Sequence, residues 1–402
     1  MEAFKNIKVL SFNHFLAGPV AAQLLGDMGA NVIALEPLGG AFQRNWGVAS
    51  LFVDGQSINH LSTGRNKRSL AVDMKSETGK QIVRRLIAST DVIMENFRPG
   101  TMAKLGFNSE ILLEEYPRLI YASVTGFGPS GPYVSRPGQD LILQAMSGLS
   151  AHTGSADGPP VAVGSVVIDH HAAALYVMGI LAALYNREIT GKGGRVDVNL
   201  LQAAVDLQGE SISAWLNGAE RTSPRGPAGI ASWFSPGGYG LHETVDGYVA
   251  ISMSTPSQLC AALEISELKS ISDEEGFTRR EEITRHVSEA VRPLKTAEVI
   301  SKLNSAQIWN AVVEDYDELL ENPQLRHLGA FQTVESATGK PVTLVAHPIQ
   351  YNGATPKIAL EPQPLGAQTR EILLEAGYSE SDIKNFLEQG AIAVHEIGAP
   401  TK

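Results

Sequence analysis

Residues Val9–Glu36 read VLSFNHFLAGPVAAQLLGDMGANVIALE. Val9 to Phe12 predicts a short strand. Gly18-Pro19 then opens a helix, with proline in the first turn, where its missing N–H costs nothing. Val20, Leu24, Leu25 and Met28 recur at helical spacing and form one apolar face, which Gly29 ends. Asn31 to Glu36 is the next strand. A strand, a helix and a second strand in so short a span form a crossover unit, the building block of a parallel sheet.

The rhythm continues. Ser69–Met74 (SLAVDM), Asp91–Phe97 (DVIMENF) and Leu119–Val124 (LIYASV) read as strands. Ser76 is placed to cap a helix whose inward face is Ile82, Val83, Leu86 and Ile87. A short helix starts near Ser109. These alternations predict an α/β fold, a parallel sheet with helices on both faces. From Asp140 the pattern turns helical, over 140–149 and 166–187, and Arg195–Leu200 alternates like one more strand. Residues 218–240 (GAERTSPRGPAGIASWFSPGGYG) are dense in Gly, Pro and Ser, which marks a domain boundary. A smaller α+β region follows, with a strand at Tyr248–Ser252 and charged helices to about Glu321. Helix returns at Thr369–Gln389.

The 402 residues suffice for two or three domains. A net charge of −11 argues against wrapping nucleic acid, which needs Lys and Arg to displace counterions. No polybasic stretch suits a membrane surface. The start, MEAFKNIKVLSF, lacks the layout of a secretory signal. The apolar run Ala172–Tyr185 is too short to span a bilayer and reads as a core helix. Cys260 is the single cysteine, which fits a reducing, cytoplasmic setting.

Several chemistries are disfavoured. The loop after the first strand, NHFLAGPVAA, lacks the Gly-x-Gly-x-x-Gly fingerprint of dinucleotide enzymes. Neither a Walker A loop nor a Gly-x-Ser-x-Gly elbow occurs. His170 and His171 are adjacent rather than four apart, so no metal site is expected. Basic residues do gather at strand–loop junctions, in Arg65-Asn-Lys-Arg68 and in Asn96-Phe-Arg-Pro-Gly100, with Lys104 just beyond. They suit a polyanionic ligand such as a phosphorylated nucleotide or coenzyme A; each alone reads better as a solvated loop charge, and the two groups together fit either reading equally. In Arg136–Ser150, RPGQDLILQAMSGLS, Asp140 joins a turn to an apolar helix, as a cap or as a reactive group.

The ordered series LAGPVAAQLLGDMGANVIALEP, NKRSLAVDMKSETG, DVIMENFRPGTMAKLGF, LIYASVTGFGPSGP, GQDLILQAMSGLS and TGKGGRVDVNLL resembles the class III coenzyme A transferases, which include formyl-CoA transferase, crotonobetainyl-CoA:carnitine CoA-transferase and the related α-methylacyl-CoA racemases. VDGYVAIS and GYSESDIKNFLEQG extend the likeness toward the end of the chain. The resemblance implies a large Rossmann-like domain built from both chain ends (1–217 and 335–402), a linker and small α+β domain (218–334), and an interlocked homodimer. It implies acyl-CoA as donor substrate, a small carboxylic acid as acceptor, and no prosthetic group.

Residue by residue, the resemblance puts the nucleophilic aspartate at Asp140. It puts coenzyme A contacts at His14, Ala17, Lys67, Arg68, Asn96, Phe97 and Arg98, with Lys104 where relatives often carry Arg. Ala34 within the second strand and Pro37 just after it stand where relatives often carry basic residues, and Arg44 is a candidate substitute. A carboxylate suits the transfer, because it can hold the acyl group as an anhydride and then coenzyme A as a thioester. The first turn of a helix favours its charged form. Gly237-Gly238 is a loose match to a glycine-rich lid but reads first as a plain turn, and Arg225 is a candidate for an acceptor carboxylate or equally a solvated loop charge. The racemase branch is the competing reading. It needs two bases, and Asp169 in VVIDHH matches one of them. Its histidine, in GHD, is here Gln139, and the expected acid after VDGYVAI is missing. A non-catalytic coenzyme A-binding protein is the third reading.

Overall fold

A computed structural model describes residues 3–219, 225–336 and 338–395. They fall in two compact units, one within 1–143, 166–204 and 323–402, the other within 144–165 and 205–322. The second unit thus takes in 144–165 and 205–217, which the sequence reading grouped with the large domain, and the first takes in 323–334.

The first unit is built on seven strands: β1 (Lys8–Phe12), β2 (Asn31–Glu36), β3 (Lys67–Val72), β4 (Val92–Glu95), β5 (Ile120–Thr125), β6 (Gly194–Asn199) and β7 (Ile392–Ala393). They lie in the order β7-β3-β2-β1-β4-β5-β6. Every pairing is parallel except that of β7 with β3. Helices α1 (Ala17–Asp27) and α4 (Val167–Thr190) cover one face, and α2 (Glu77–Ile87) and α5 (Thr369–Glu375) the other. The two-residue period of a strand explains the layers. Val9, Val32 and Val92 point to one face, with Leu25, Tyr176 and Ile180. Leu10, Ile33 and Ile93 point to the other, with Ile82, Leu86 and Ile372.

Several elements differ from expectation. The helical stretch Thr369–Gln389 is two helices, Thr369–Glu375 and Glu380–Glu388, and the one expected over 140–149 stops at Met146. Strand β3 starts two residues before SLAVDM and stops at Val72, because Asp73 already turns the chain: its carbonyl accepts from Ser76 N. Lys67 and Arg68 are therefore strand residues and face opposite sides of the sheet. Helix α4 has 24 residues, well beyond the Ala172–Tyr185 run, and by length and composition could cross a membrane. Ala172, Ala173, Tyr176 and Ile180 are nonetheless fully buried in the core, while Met178, Tyr185 and Ile189 are exposed.

From β1 the chain builds outward through β2 and β3, then crosses back to lay β4 on the other side of β1. The switch point, where open α/β sheets bind ligands outside the carboxyl ends of their strands, lies between β1 and β4. The second unit carries a three-stranded antiparallel sheet, Gly240–Thr244, Gly247–Ile251 and Asn310–Val312. Helices Pro256–Leu263, Arg280–Val291 and Thr296–Ser305 bury Leu259, Ile283, Val287 and Val299 with Val249 and Ile251.

Candidate active site

The loops leaving β1 and β4 are fastened together at the switch point. Asn96 Oδ1 accepts from His14 N at 2.9 Å, and Asn96 Nδ2 donates to the His14 carbonyl at 2.7 Å. Phe12 pairs with Glu95 at the end of the ladder, so the amide extends the β1–β4 pairing where parallel strands begin to diverge. The His14 ring stacks on Phe97, centroids 5.3 Å apart. Phe97 N in turn donates to Glu95 Oε2 at 2.9 Å. Burial lowers the pKa of His14 and raises that of Glu95. Phe15 follows at φ 61°, a left-handed conformation costly for a side chain of this size, with its ring 4.3 Å from Phe42.

Structure thus brings His14, Asn96 and Phe97 into one assembly. Ala17, buried, is the first residue of α1. Lys67 is also buried, and its Nζ donates to the Pro19 carbonyl at 2.7 Å. Burial pushes the Lys67 ammonium down to about 7. Arg98 and Lys104 are exposed around the single helical turn Thr101–Lys104 that follows β4. Arg68 lies apart from these residues. On the α5 face its guanidinium is paired with Glu371 at 3.0 Å and Glu375 at 2.9 Å.

Arg44 makes a forked pair with Glu36 at the end of β2, Nε to Oε2 at 2.5 Å and Nη2 to Oε1 at 2.6 Å. Its Nη1 also reaches His60 Nε2 and the Gln363 carbonyl, both at 3.1 Å. Burial opposes charge on Glu36, but the Arg44 guanidinium outweighs it and holds the carboxyl at about 2. As a substitute for the missing basic residue, Arg44 therefore brings a charge already balanced by Glu36. It borders a cavity of about 320 Å³ shared with Leu38, Gln56, His60 and Leu365. The buried Gln56 Oε1 has no hydrogen-bond partner there.

Asp140 begins helix α3 (Asp140–Met146) and is 3% exposed. Its Oδ2 accepts from Ile168 N at 2.8 Å and Asp169 N at 3.0 Å. It thus caps α4, supplying an acceptor for two N–H groups that have no partner within the helix. Glycine makes this placement possible: a Cβ on Gly138 would lie 2.4 Å from Gly126 Cα. Asp169 stands in the first turn of α4 and is partly exposed. Burial, and next the Asp140 charge, push its carboxyl up to about 7. Leu143 and Ile168, beside the two acids, share a buried cluster with Ala17 and Val20 of α1.

Sequence reasoning assigned Asp169 only to the competing branch. The available signal was its position: an acid in the first turn of a long apolar helix. In the second unit, Arg225 donates to the carbonyls of Ala151 (2.9 Å), Ser155 (2.8 Å) and Gly158 (2.7 Å), and so braces a loop. Gly237 N donates to the Gly276 carbonyl and Gly238 N to Thr284 Oγ1, both at 2.9 Å, as in a packed turn.

Comparisons with known proteins agree with this architecture. Residues 4–369 match the model of CoA-transferase family III. The mouse (Mus musculus) succinyl-CoA:glutarate CoA-transferase is 32% identical over 98% of this chain and 92% of its own. A formyl-CoA:oxalate CoA-transferase of Streptomyces coelicolor is 41% identical over about half of each chain, 51% and 50%. The crystal structure of a CAIB/BAIF family protein from Brucella suis superposes with a TM-score of 0.79 at 29% identity, covering 92% of this chain and 98% of the other. With its parallel sheet, its fastened switch-point loops and a family match over most of its length, the chain belongs to CoA-transferase family III.

Proposed function

We propose that this enzyme moves coenzyme A from an acyl-CoA thioester to a small free carboxylic acid, and that Asp169 is the covalent carrier. One observation carries the choice of residue. Of the two acids that meet at the start of α4, Asp140 is buried and bound to two backbone amides, whereas Asp169 is partly exposed. Asp140 then has the role of holding and tuning Asp169.

The Asp169 carboxylate attacks the thioester carbonyl, the C–S bond breaks, and coenzyme A leaves as thiolate. The mixed anhydride is attacked at the aspartyl carbonyl by that thiolate. The C–O bond to the acyl group breaks, and the first acid departs, leaving an aspartyl-CoA thioester. An incoming acceptor carboxylate displaces the thiolate and forms a second anhydride. The thiolate attacks the acceptor carbonyl, which frees the new acyl-CoA and restores Asp169. Thioester is consumed and regenerated, so the exchange is nearly balanced in energy.

Relatives that cover nearly the whole chain make succinyl-CoA with glutarate the first donor–acceptor pair to test. The family resemblance supports an interlocked homodimer of 43.0 kDa chains, and one cysteine in 402 residues supports a cytoplasmic setting. Incubation with succinyl-CoA followed by mass spectrometry tests the carrier. Asp140 and Asp169 share one tryptic peptide, so fragment ions must locate the adduct. An adduct on Asp169 is expected, and one on Asp140 reverses the two roles.

The racemase reading retains one point in its favour, since a carboxyl near 7 suits a base at neutral pH. Deuterium entering next to the thioester in heavy water, with no acceptor acid present, would decide for it.

A further inference from the structure

We infer that Asn96 is a positioning residue that acts through His14 on the loop before α1, rather than a contact for coenzyme A. The inference rests on the coenzyme A reading of this site. Both ends of the Asn96 amide engage the backbone of one residue, with Oδ1 on the His14 N–H and Nδ2 on the His14 carbonyl. An amide placed in this way substitutes for a peptide unit of the β1–β4 ladder, which ends one residue earlier, at Glu95.

The residue after His14 makes the fastening necessary. Phe15 sits at φ 61°, a conformation that persists only where neighbours over-determine it. On one side it has the doubly bonded His14, whose ring lies on Phe97. On the other its own ring meets Phe42, and Phe42 meets Trp46 at 5.8 Å. Beyond Phe15, Leu16 packs against the buried cluster and its carbonyl accepts from Val20 N at 2.9 Å, so the helix side of the loop is anchored and the strand side depends on residue 14. Without the Asn96 amide, residue 14 has neither backbone bond and Phe15 is free to relax to negative φ. The exposed rings of Phe15, Phe42 and Trp46 then lose their common arrangement.

A contact to the nucleotide end of coenzyme A and a fastening of this loop predict different losses. The test compares wild type with Asn96→Leu, which removes both bonds, and Asn96→Asp, which keeps the shape and loses the donor. Two donors are used, succinyl-CoA and succinyl-pantetheine, the latter without any nucleotide. The expected result is a fall in kcat of about tenfold or more for Asn96→Leu with both donors, a smaller fall for Asn96→Asp, and a KM for succinyl-CoA within about threefold of wild type. Amide hydrogen exchange at His14 and Phe15 should speed up by about tenfold in Asn96→Leu while the β1 amides stay protected. A loss confined to succinyl-CoA, or unchanged exchange at His14, overturns the inference. A wild type inert with every donor would instead sink the coenzyme A reading, and the exchange measurement would still decide the fastening.

Discussion

Asp140 accepts the backbone N–H of Asp169 at 3.0 Å, so one acid caps the helix whose first turn holds the other. The two carboxyls are therefore tied in position and in charge. A negative Asp140 helps to hold the Asp169 carboxyl up near 7, after the larger effect of burial. The two substitutions should consequently behave differently. Asp169→Asn is expected to lower transfer by at least about 10³-fold, as loss of a covalent nucleophile does. Asp140→Asn keeps an oxygen able to accept the two amides, and should retain measurable transfer. Steady-state rates with succinyl-CoA and glutarate compare them, and equal loss in both variants would remove the distinction drawn between the acids.

The pH profile has a definite sign. As the proposed nucleophile Asp169 must be ionised to attack, and its carboxyl is raised to about 7. The kcat/KM for the donor should therefore climb as pH rises through that region. In Asp140→Asn the like charge is gone and the rising limb should move to lower pH. A limb that stays in place, or moves upward, would show that Asp140 does not tune its neighbour.

Gly138→Ala should destabilise the fold by about 1–3 kcal/mol, since a Cβ must be forced into a filled backbone crossing. The Cβ would meet Gly126 Cα at 2.4 Å. Thermal unfolding measures this directly, and a melting temperature equal to wild type would mean that the crossing yields more easily than its spacing suggests.

The Arg44–Glu36 pair governs acid stability. Glu36 is held at about 2 against an ordinary value of 4.5. A depressed carboxyl adds stability that is present above 4.5 and disappears as pH falls toward 2. In Arg44→Met the charged partner is lost, only the hydrogen bonds from Ala41 N and Ser69 Oγ remain against burial, and a cost of about 3–5 kcal/mol is expected at neutral pH from the buried charge left without a counter-ion. Urea titrations at several pH values should show the variant gaining relative to wild type on acidification.

Arg68→Gln should leave the KM for acyl-CoA within about twofold of wild type and lower stability by no more than about 1 kcal/mol, because its partners Glu371 and Glu375 are half exposed. A large rise in KM would place the Arg68 guanidinium at the ligand after all.

Much of the large sheet was legible, because alternation and helical spacing report burial directly: Ile82, Val83, Leu86 and Ile87 are all inside, and Ser76 caps their helix by accepting from Gly79 N. Strand ends were less so. A shift of two residues in β3 separated Lys67 from Arg68, since one position decides which face a side chain takes. Arg44 and Arg225 looked available for ligands because a sequence lists charges without their partners, whereas Gly237-Gly238 is the plain turn its letters suggest. The division of labour proposed for Asp140 and Asp169 rests on a contact between two separate helices, which no local pattern records.

The meeting of Gly126 and Gly138 also bears on how this protein can change over generations. Each is already the smallest residue, so a larger side chain at one cannot be accommodated by trimming the other. Most packing positions drift in compensating pairs. This crossing has no such route, and variation around Asp140 must proceed through its flanks, at exposed places such as Gln139.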